Sequence, residues 1–521
     1  MTAAVSLPSS LGVLLEERAS THAEHTALNF VEQALTVSYA ELNDYVNRVA
    51  NVLHDLGVRR RTHVAVMSAN SLDYCACWLA LAKLGAVLIS VNARYTPREL
   101  DYVLTDGDSS LLLCDTQGLT VAEQLDAPPQ VVCFTPTSGD PEGDWSERVA
   151  AAPVEFAIDT SVGLDDLLNI QYTSGTTGFP KGCMLSHRFW LHSARLMVDD
   201  LDFPVRRTIY NQNFFYMDGP FLAAVMMLAG GTLFMVTRPS ASNFLTWSRE
   251  HRIEYCFFFE ALYKQPEQGN DADNSYRLMH TFGLSRDSHA DVERRYATLA
   301  REAYGMTECG AALRVPMSVT DMVGSGSCGL PLPTRELAIV DDQGKQVASG
   351  EVGELWIKGP GLMLGYYNKP EATADVFRGE WLRTGDLFRQ DERGYYYIVG
   401  RKKDMVRRNA ENIACREVEE VLRSMPAIRE AAVVPVPDER VGEEVKAYLQ
   451  LREGFDVDDV NPERVLEFCR ERLAVFKVPR YIEYRDSFPM TDSARVEKQK
   501  VVAESEDLRL HSYDAVEQRW H

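Results

Sequence analysis

The glycine-rich segment Tyr172–Gly182, with the sequence YTSGTTGFPKG, constrains the fold of this chain more than any other segment. Its glycines permit backbone conformations that a side chain would block. Polar glycine-rich runs are often simple loops, but this one also carries three hydroxyl groups and the ammonium group of Lys181. Such a loop suits a polyphosphate that is held and then released. It is not a Walker A loop, because Phe179 and Pro180 separate Lys181 from the preceding glycine.

The segments before this loop alternate between patterns typical of helices and of strands. Ser38 and Glu41 form a capping-box pattern, which predicts a helix that begins after them. A strand, a helix and a second strand are then predicted at His63–Ser68, Leu72–Leu84 and Ala86–Val91. A short apolar run before the glycine-rich loop predicts a further strand. This alternation predicts the α/β class, with a parallel sheet covered by helices on both faces.

A smaller unit is predicted near the end of the chain. Helix and strand patterns follow one another there as helix, strand, strand, helix and strand, at 415–424, 431–435, 444–451, 462–473 and 481–484. We therefore expect a large N-terminal α/β domain of several subdomains with parallel sheets, and a small α+β C-terminal domain. The polar residues after 503 predict a partly disordered tail.

Composition excludes several classes of function. The formal charge of −22 opposes binding to nucleic acid. The ten cysteines are scattered, which indicates free thiols in a reducing compartment. The longest apolar run, Leu222–Val236, is broken by two glycines and is shorter than the ~20 residues that cross a bilayer. Since the N-terminus also lacks the pattern of a secretory signal, we expect a cytoplasmic protein without a membrane span.

Two further motifs carry groups suited to a nucleotide. In Tyr304-Gly-Met-Thr-Glu, a hydroxyl beside a carboxylate can bind a phosphate oxygen and a divalent cation. The alternative for this pentapeptide alone is a capped turn with a solvated glutamate. In Trp381-Leu-Arg-Thr-Gly-Asp, the carboxylate of Asp386 follows a glycine turn and can accept both hydrogen bonds of a ribose diol.

Together these motifs resemble those of the adenylate-forming enzymes, which include acyl-CoA synthetases, peptide-synthetase adenylation domains and firefly-type luciferases. The resemblance covers nearly the whole chain, and Arg407-Arg408 before Glu-Asn-Ile loosely resembles carnitine-CoA ligase-like members. It implies that a carboxylic acid reacts with ATP and Mg²⁺ to give an acyl-adenylate, which then passes its acyl group to coenzyme A. It also implies a mobile C-terminal domain that serves both half-reactions. A homodimer is a possible assembly.

The resemblance assigns roles to residues of this sequence. Those implied for catalysis are Lys181, Thr307, Glu308 and Arg495, with Glu308 as the metal ligand. Those implied for nucleotide binding are Thr173, Ser174, Gly175, Thr176, Thr177, Gly178, Lys181, Gly283, Tyr304, Gly305, Thr307, Asp386, Ile398 and Arg401. Those implied for the acyl pocket are Tyr216, Met217, Met306, Cys309 and Ala311, and those for the coenzyme A path are Arg94, Asn409, Ala410 and Phe476. Tyr216 stands where the family commonly has a histidine.

The resemblance also implies domain limits, with an N-terminal domain at 1–400, a hinge at 401–403 that contains Lys403, a C-terminal domain at 404–503 and a polar tail at 504–521. Two departures bear on activity. Asn409 and Ala410 replace two glycines, and Arg495 replaces the lysine that bridges the carboxylate and the α-phosphate. Arginine keeps the charge but has a longer, planar head. Two alternatives therefore remain open beside the ligase, namely loading of a carrier-protein thiol and binding of ligands without turnover.

Overall fold

The computed structural model describes residues 7–134, 144–173, 180–284, 286–402, 404–408, 411–438, 440–491 and 495–521. The helices of these residues are α1 (Leu11–Thr21), α2 (Tyr39–Asp55), α3 (Leu72–Leu84), α4 (Pro97–Asp106), α5 (Thr116–Ala122), α6 (Trp145–Ala151), α7 (His187–Asp200), α8 (Asp218–Ala229), α9 (Phe244–Glu250), α10 (Glu260–Tyr263), α11 (Arg286–Tyr296), α12 (Pro370–Val376), α13 (Cys415–Arg423), α14 (Pro462–Arg470) and α15 (Lys498–Ala503), with a 3₁₀ turn at Val475–Lys477. None of the helices described is long and apolar enough to cross a bilayer.

The strands of the same residues are β1 (Thr26–Phe30), β2 (Leu35–Ser38), β3 (His63–Met67), β4 (Val87–Ser90), β5 (Leu111–Cys114), β6 (Gln130–Cys133), β7 (Leu167–Thr173), β8 (Lys181–Ser186), β9 (Arg207–Tyr210), β10 (Thr232–Met235), β11 (Tyr255–Phe258), β12 (Leu278–Thr281), β13 (Ala300–Met306), β14 (Gly310–Arg314), β15 (Leu330–Pro331), β16 (Glu336–Val340), β17 (Gly353–Lys358), β18 (Gly365–Tyr366), β19 (Phe377–Arg378), β20 (Trp381–Gln390), β21 (Tyr396–Arg401), β22 (Met405–Arg408), β23 (Glu411–Ala414), β24 (Ile428–Asp438), β25 (Gly442–Leu451), β26 (Tyr481–Tyr484), β27 (Tyr513–Asp514) and β28 (Arg519–Trp520).

The chain forms two compact units. The first contains 1–337 and 357–382, and the second contains 338–356 and 383–521. The predicted hinge at 401–403 lies within the second unit by this division, and the predicted domain limits remain predictions.

Two largely parallel sheets build the first unit. The first sheet has the order β15-β14-β13-β12-β11-β9-β10-β1-β2, and the second has the order β18-β8-β7-β4-β3-β5-β6. The neighbours from β13 through β12, β11, β9 and β10 to β1 are all parallel, as are those from β7 through β4, β3 and β5 to β6. The predicted α/β class with parallel sheets is confirmed.

Local sequence signals explain where several helices begin and end. The predicted capping box is present, since the Ser38 side chain accepts from the N–H of Glu41 and Glu41 accepts from the N–H of Ser38. The helix predicted at Leu72–Leu84 is confirmed, and it ends at Gly85 in a left-handed conformation. The apolar run of α8 is likewise ended by a left-handed glycine, Gly230, before β10 begins.

Large buried aromatic residues fill the space between helices α3, α7 and α8. The rings of Trp78 and Trp190 meet edge to face with centroids 5.9 Å apart, and Phe214 lies 6.0 Å from Trp78. Helix α7 contacts β8 of the second sheet and β14 of the first. This helix layer therefore joins the two sheets of the first unit into one core.

A further sheet has the order β16-β17-β20-β19, with β21 beside β20, and the chain passes from one unit to the other within its strands. The rest of the second unit is a sheet with the order β23-β22-β25-β26-β27-β28, with β24 beside β25. One face packs on α13 and α14, and α15 covers part of the other. The predicted small unit of helices and strands is confirmed here.

The polar tail has more structure than its composition indicates. Its strand β27 pairs with β26, and β28 pairs with β27. The buried carboxylate of Asp514 lies 2.9 Å from the guanidinium of Arg480. The tail was predicted to be partly disordered because its apolar residues are few, whereas strand pairing and this buried ion pair hold it.

Candidate active site

The glycine-rich loop joins two antiparallel strands, β7 and β8, in which Thr173 lies opposite Lys181. The strand predicted before the loop is therefore confirmed. The loop residues predicted to bind phosphate, which are Ser174, Gly175, Thr176, Thr177 and Gly178, lie outside the described residues.

Tyr366 brings Lys181 and Glu308 together. It lies on β18 opposite Cys183 of β8, and the ammonium group of Lys181 is 5.0 Å from the centre of its ring. Its hydroxyl donates a hydrogen bond of 2.9 Å to a carboxylate oxygen of Glu308. Burial, and after it the charge of Glu308, raises the pKa of Tyr366, so the phenol remains a donor. Burial and Glu308 also raise the pKa of the Cys183 thiol.

The motif at 304–308 forms the end of β13 and the turn into β14. Tyr304 and Gly305 lie on β13, and Thr307 and Glu308 lie in the turn. A side chain on Gly305 would bring its Cβ within 2.6 Å of the carbonyl oxygen of Gly310, so only glycine fits. Of the predicted acyl residues, Met306 ends β13, Ala311 lies on β14, and Cys309 is fully buried with its thiol donating to a carbonyl oxygen.

Gly283 follows directly after Phe282 at the end of β12, and its φ of 73° lies in the left-handed region. Its N–H donates to the buried carboxylate of Glu302, which also accepts a hydrogen bond of 2.7 Å from the Thr281 hydroxyl. The turn that contains Gly283, a residue predicted to bind the nucleotide, is therefore held from the neighbouring strand, β13.

The sheet order brings the predicted nucleotide and acyl residues to one edge. Strands β9, β11, β12 and β13 are parallel neighbours, so their carboxyl ends meet at the same edge. Tyr216 and Met217 follow β9, Gly283 follows β12, and Thr307 and Glu308 follow β13. Ligands of open parallel sheets bind at this edge. The residues of two predicted subsites thus follow strands of one sheet at the same edge.

The second unit holds the predicted ribose site. Asp386 on β20 lies opposite Arg401 on β21, and the guanidinium is 3.0 Å from the carboxylate. Asp386 is buried, whereas Arg401 is about half exposed, with a relative side-chain area of 47%. Ile398 lies on β21 opposite Phe388.

Arg495 is exposed and lies within electrostatic reach of Arg401, Arg416 and Asp386. The nearby Lys498 points elsewhere, because its ammonium group lies 2.6 Å from the carboxylate of Glu419. Lys498 is therefore paired within the second unit.

Arg94 and Phe476 are the predicted residues of the coenzyme A path that the structure describes. Arg94 is in the loop before α4, where its N–H donates to Asn92. Phe476 is half-buried and packs against the apolar core of the second unit. Lys403, Asn409 and Ala410 lie outside the described residues.

Comparisons with known proteins agree with this geometry. The sequence profile of the AMP-binding enzyme family matches residues 15–367, and that of the AMP-binding enzyme C-terminal domain matches residues 417–495. The chain belongs to the AMP-binding enzyme family. The crotonobetaine/carnitine–CoA ligase of Salmonella enteritidis is similar to it, with 30% identity over 94% of this chain and 98% of the relative. A ligase of the same name from Shigella flexneri is 30% identical over 88% of this chain and 92% of the relative.

Solved structures support the same assignment. ATP-bound MatB from Rhodopseudomonas palustris is 28% identical to this AMP-binding enzyme, with a TM-score of 0.86 over 96% of this chain and 99% of MatB. The o-succinylbenzoate CoA synthetase MenE from Bacillus subtilis, in complex with an acyl-adenylate, is 25% identical to this chain. The TM-score is 0.82, over 95% of this chain and 98% of MenE.

Sequence reasoning missed several residues of this AMP-binding enzyme. Tyr366 orients Glu308, Glu302 holds the turn at Gly283, and Asp218 places a carboxylate beside the predicted acyl residues. The motif containing Tyr366 was recognised without a role for its aromatic residue. Glu302 and Asp218 carry no local pattern that distinguishes them from surface carboxylates.

Proposed function

We propose that the chain is an AMP-forming ligase that joins a carboxylic acid to coenzyme A. In the first half-reaction a carboxylate oxygen of the acid attacks the α-phosphorus of ATP, the bond to the β-phosphate breaks, and pyrophosphate leaves. In the second, the sulfur of coenzyme A attacks the acyl carbon, a thioester forms, AMP leaves and the thiol proton passes to solvent. The observation that carries the proposal is the sheet edge that gathers predicted nucleotide and acyl residues, in a chain related over most of its length to CoA ligases.

No side chain acts as a nucleophile in this scheme, because the substrates react with each other. The protein supplies position and charge. Lys181 would bind the β- and γ-phosphates, and Thr307 the α-phosphate. Glu308 offers a carboxylate, the ligand type that Mg²⁺ prefers, and the hydrogen bond from Tyr366 fixes its orientation. A magnesium ion held there would neutralise phosphate charge.

In the second unit, Asp386 would bind the ribose hydroxyls and Arg401 would hold that carboxylate in place, since the two are already paired. Arg495 would stabilise the negative charge that develops as the carboxylate attacks. Its planar guanidinium can contact two oxygens at once. Because Lys498 is held by Glu419, Arg495 is the residue of this segment that we assign to the role.

The half-reactions can be tested separately. Acid-dependent exchange of labelled pyrophosphate into ATP measures the first, and mass spectrometry of acyl-CoA measures the second. We expect Arg495→Ala to lower exchange about 100-fold, Arg495→Lys to retain most of it, and both variants to form acyl-CoA from presynthesised adenylate at nearly the wild-type rate. Binding of ATP without exchange, for every acid of a broad panel, would refute the ligase and favour a non-catalytic binder.

The proposal also covers the acyl acceptor, the cellular location and the oligomeric state. We take coenzyme A as the acceptor, with a carrier-protein phosphopantetheine as the alternative that acylation of free coenzyme A would exclude. We propose a cytoplasmic location because all ten cysteines are buried free thiols. A homodimer remains the assembly to be tested, by light scattering.

The relatives do not agree on the acid. Two are named for crotonobetaine and carnitine, and another for o-succinylbenzoate. Membership of the family therefore leaves the acid open, and the pocket of this chain must decide it.

A further inference from the structure

Strand β8 begins at Lys181 and lies between β18 and β7 in the second sheet. Its pairing with each of these neighbours is antiparallel. The position of the Lys181 ammonium group therefore depends on how firmly β7 and β18 are held against β8. Because this ammonium group is proposed to bind the β- and γ-phosphates, the residues that hold the two neighbouring strands bear on ATP binding.

The main chain on both sides of Lys181 is anchored. The carbonyl oxygen of Pro180 accepts a hydrogen bond of 3.1 Å from the hydroxyl of Tyr102, a residue of α4. The carbonyl oxygen of Gly182 accepts one of 2.8 Å from the N–H of Tyr367, which follows β18. The backbone that carries the Lys181 side chain is thus held from α4 on one side and from the segment after β18 on the other.

Tyr172 of β7 also contacts this backbone. It lies opposite Gly182, and a side chain at Gly182 would place its Cβ 3.2 Å from the ring, so the glycine lets the ring approach β8 closely. The Tyr172 hydroxyl donates a hydrogen bond of 3.0 Å to the carboxylate of Asp106, the last residue of α4. Burial, and after it the charge of Asp106, raises the pKa of Tyr172, so the phenol remains a donor.

The carboxylate of Asp106 also reaches the other neighbour of β8. Lys369 follows β18 by three residues and is the N-cap residue of α12. Its ammonium group forms an ion pair with Asp106, and this hydrogen bond raises the pKa of Lys369, which keeps its charge. The Asp106 side chain is only 8% exposed. Removal of either partner would therefore leave a partly desolvated charge without compensation.

We propose that Asp106 is a positioning residue for ATP binding, because its carboxylate ties together the two strands on either side of the one that begins at Lys181. One carboxylate oxygen binds Tyr172 on the β7 side, and the other binds Lys369 on the β18 side. Asp106 contacts no substrate in this role and acts through Lys181. This inference rests on the proposed ligase function and adds a residue to its ATP site.

The tie also bears on the spacing between the phosphate and metal groups. The Lys181 ammonium group lies 5.0 Å from the centre of the Tyr366 ring, and the hydroxyl of Tyr366 binds Glu308. Tyr366 is on β18, the strand that Asp106 reaches through Lys369. Loss of the tie would let β18 and β8 shift against each other, which would move Lys181 away from the position that it shares with Tyr366.

The test compares ATP with AMP, which lacks the two phosphates assigned to Lys181. Calorimetric titration of the full chain with Mg²⁺ and without acid gives the Kd of each nucleotide. We expect Asp106→Ala to raise the Kd for ATP about tenfold, since a small misplacement of a charged group is costly, and to leave the Kd for AMP unchanged. In pyrophosphate exchange the same variant should raise the KM for ATP and leave the KM for the acid unchanged.

Each arm of the tie can also be removed alone. Tyr172→Phe removes the hydroxyl that binds Asp106 and keeps the ring, and Lys369→Met removes the charge and keeps most of the side-chain length. Each should weaken ATP more than AMP. Because both arms act through one carboxylate, the double variant of Asp106→Ala with Tyr172→Phe should bind ATP no worse than Asp106→Ala alone. Additive losses would contradict the tie.

Asp108→Ala is the matched control. Asp108 binds the same segment after β18, through the Tyr367 hydroxyl at 2.9 Å and the Asn368 amide at 3.1 Å. Its hydrogen bonds within the described part of the chain do not reach β7, so this variant should change neither Kd. A loss of ATP binding in Asp108→Ala equal to that in Asp106→Ala would overturn the proposal. Equal weakening of ATP and AMP by Asp106→Ala would do so too, because Asp106 would then support the nucleotide site as a whole.

Failure of this role and failure of the ligase give different results. Equal ATP binding by the wild type and Asp106→Ala, with acid-dependent exchange intact in both, would refute the role of Asp106 and leave the ligase standing. ATP binding by the wild type without exchange for any acid would refute the ligase, whereas the comparison of ATP with AMP would still decide whether Asp106 positions Lys181.

Discussion

Replacing Asp218 by asparagine should stabilise the protein at neutral pH. The change removes the charge of a half-buried carboxylate and keeps the shape of the side chain. In the native state the pKa of Asp218 is raised from 3.8 to about 6 by burial. Between these two values the native state holds a proton that the unfolded chain has released, so the free energy of unfolding falls as the pH rises through this window.

The magnitude follows from the two pKa values. They differ by about two pH units, and each unit corresponds to about 1.4 kcal/mol, so ionisation costs the native state about 3 kcal/mol above pH 6. We therefore expect Asp218→Asn to raise the free energy of unfolding by about 3 kcal/mol at pH 7.5.

The assay is scanning calorimetry of wild type, Asp218→Asn and Asp273→Asn, without ligands, from pH 4 to pH 8. Asp273→Asn is the control, because it makes the same change at an exposed carboxylate. The melting temperature of Asp218→Asn should exceed that of the wild type by about 3 °C at pH 7.5, and the difference should vanish near pH 4, where both chains are uncharged at this position. A lower melting temperature at pH 7.5 would refute the reasoning, because it would mean that the carboxylate is paired in the native state. A gain that is the same at every pH would also refute it, because the gain would then not come from the charge.

Three further predictions concern other parts of the structure. Tyr366→Phe removes the donor that orients Glu308, so the Mg²⁺ concentration for half-maximal pyrophosphate exchange should rise about tenfold; an unchanged magnesium titration would contradict this role. Gly283→Ala places a side chain at φ 73°, which should cost about 1 kcal/mol of stability. It should also raise the KM for ATP without changing that for the acid, as measured by steady-state kinetics at varied ATP and varied acid; an unchanged KM for ATP would contradict this prediction. Asp514→Asn removes the buried carboxylate that pairs with Arg480 and leaves that guanidinium its contact of 3.1 Å with Asp438. Urea unfolding of the second unit should therefore lose about 2 kcal/mol; a loss below about 1 kcal/mol would place the pair with Asp514 among surface ion pairs.

Much of the fold could be predicted because its signals are local. The capping box at Ser38 and Glu41 acts within one helical turn, and the helix at Leu72–Leu84 is bounded by its own cap and by Gly85. Strand β26 was predicted with its observed limits because Tyr481–Tyr484 is a short apolar run between polar segments. The tail at 504–521 was less predictable, because its strand β27 is held by residues that are distant in the chain. It pairs with β26, and its Asp514 contacts Arg480, which precedes it by 34 residues.

The sequence alone determined which chemical groups the protein possesses, because the glycine-rich loop, the Tyr304–Glu308 motif and the segment around Asp386 are contiguous patterns. Only the tertiary structure decided which groups meet. Tyr366 and Glu308 are 58 residues apart and share a hydrogen bond because β18 and the turn after β13 lie next to each other in space. Asp218 stands out only once its neighbours are known, because the cost of a buried charge depends on the strands and rings around it and not on the residues beside it in the chain.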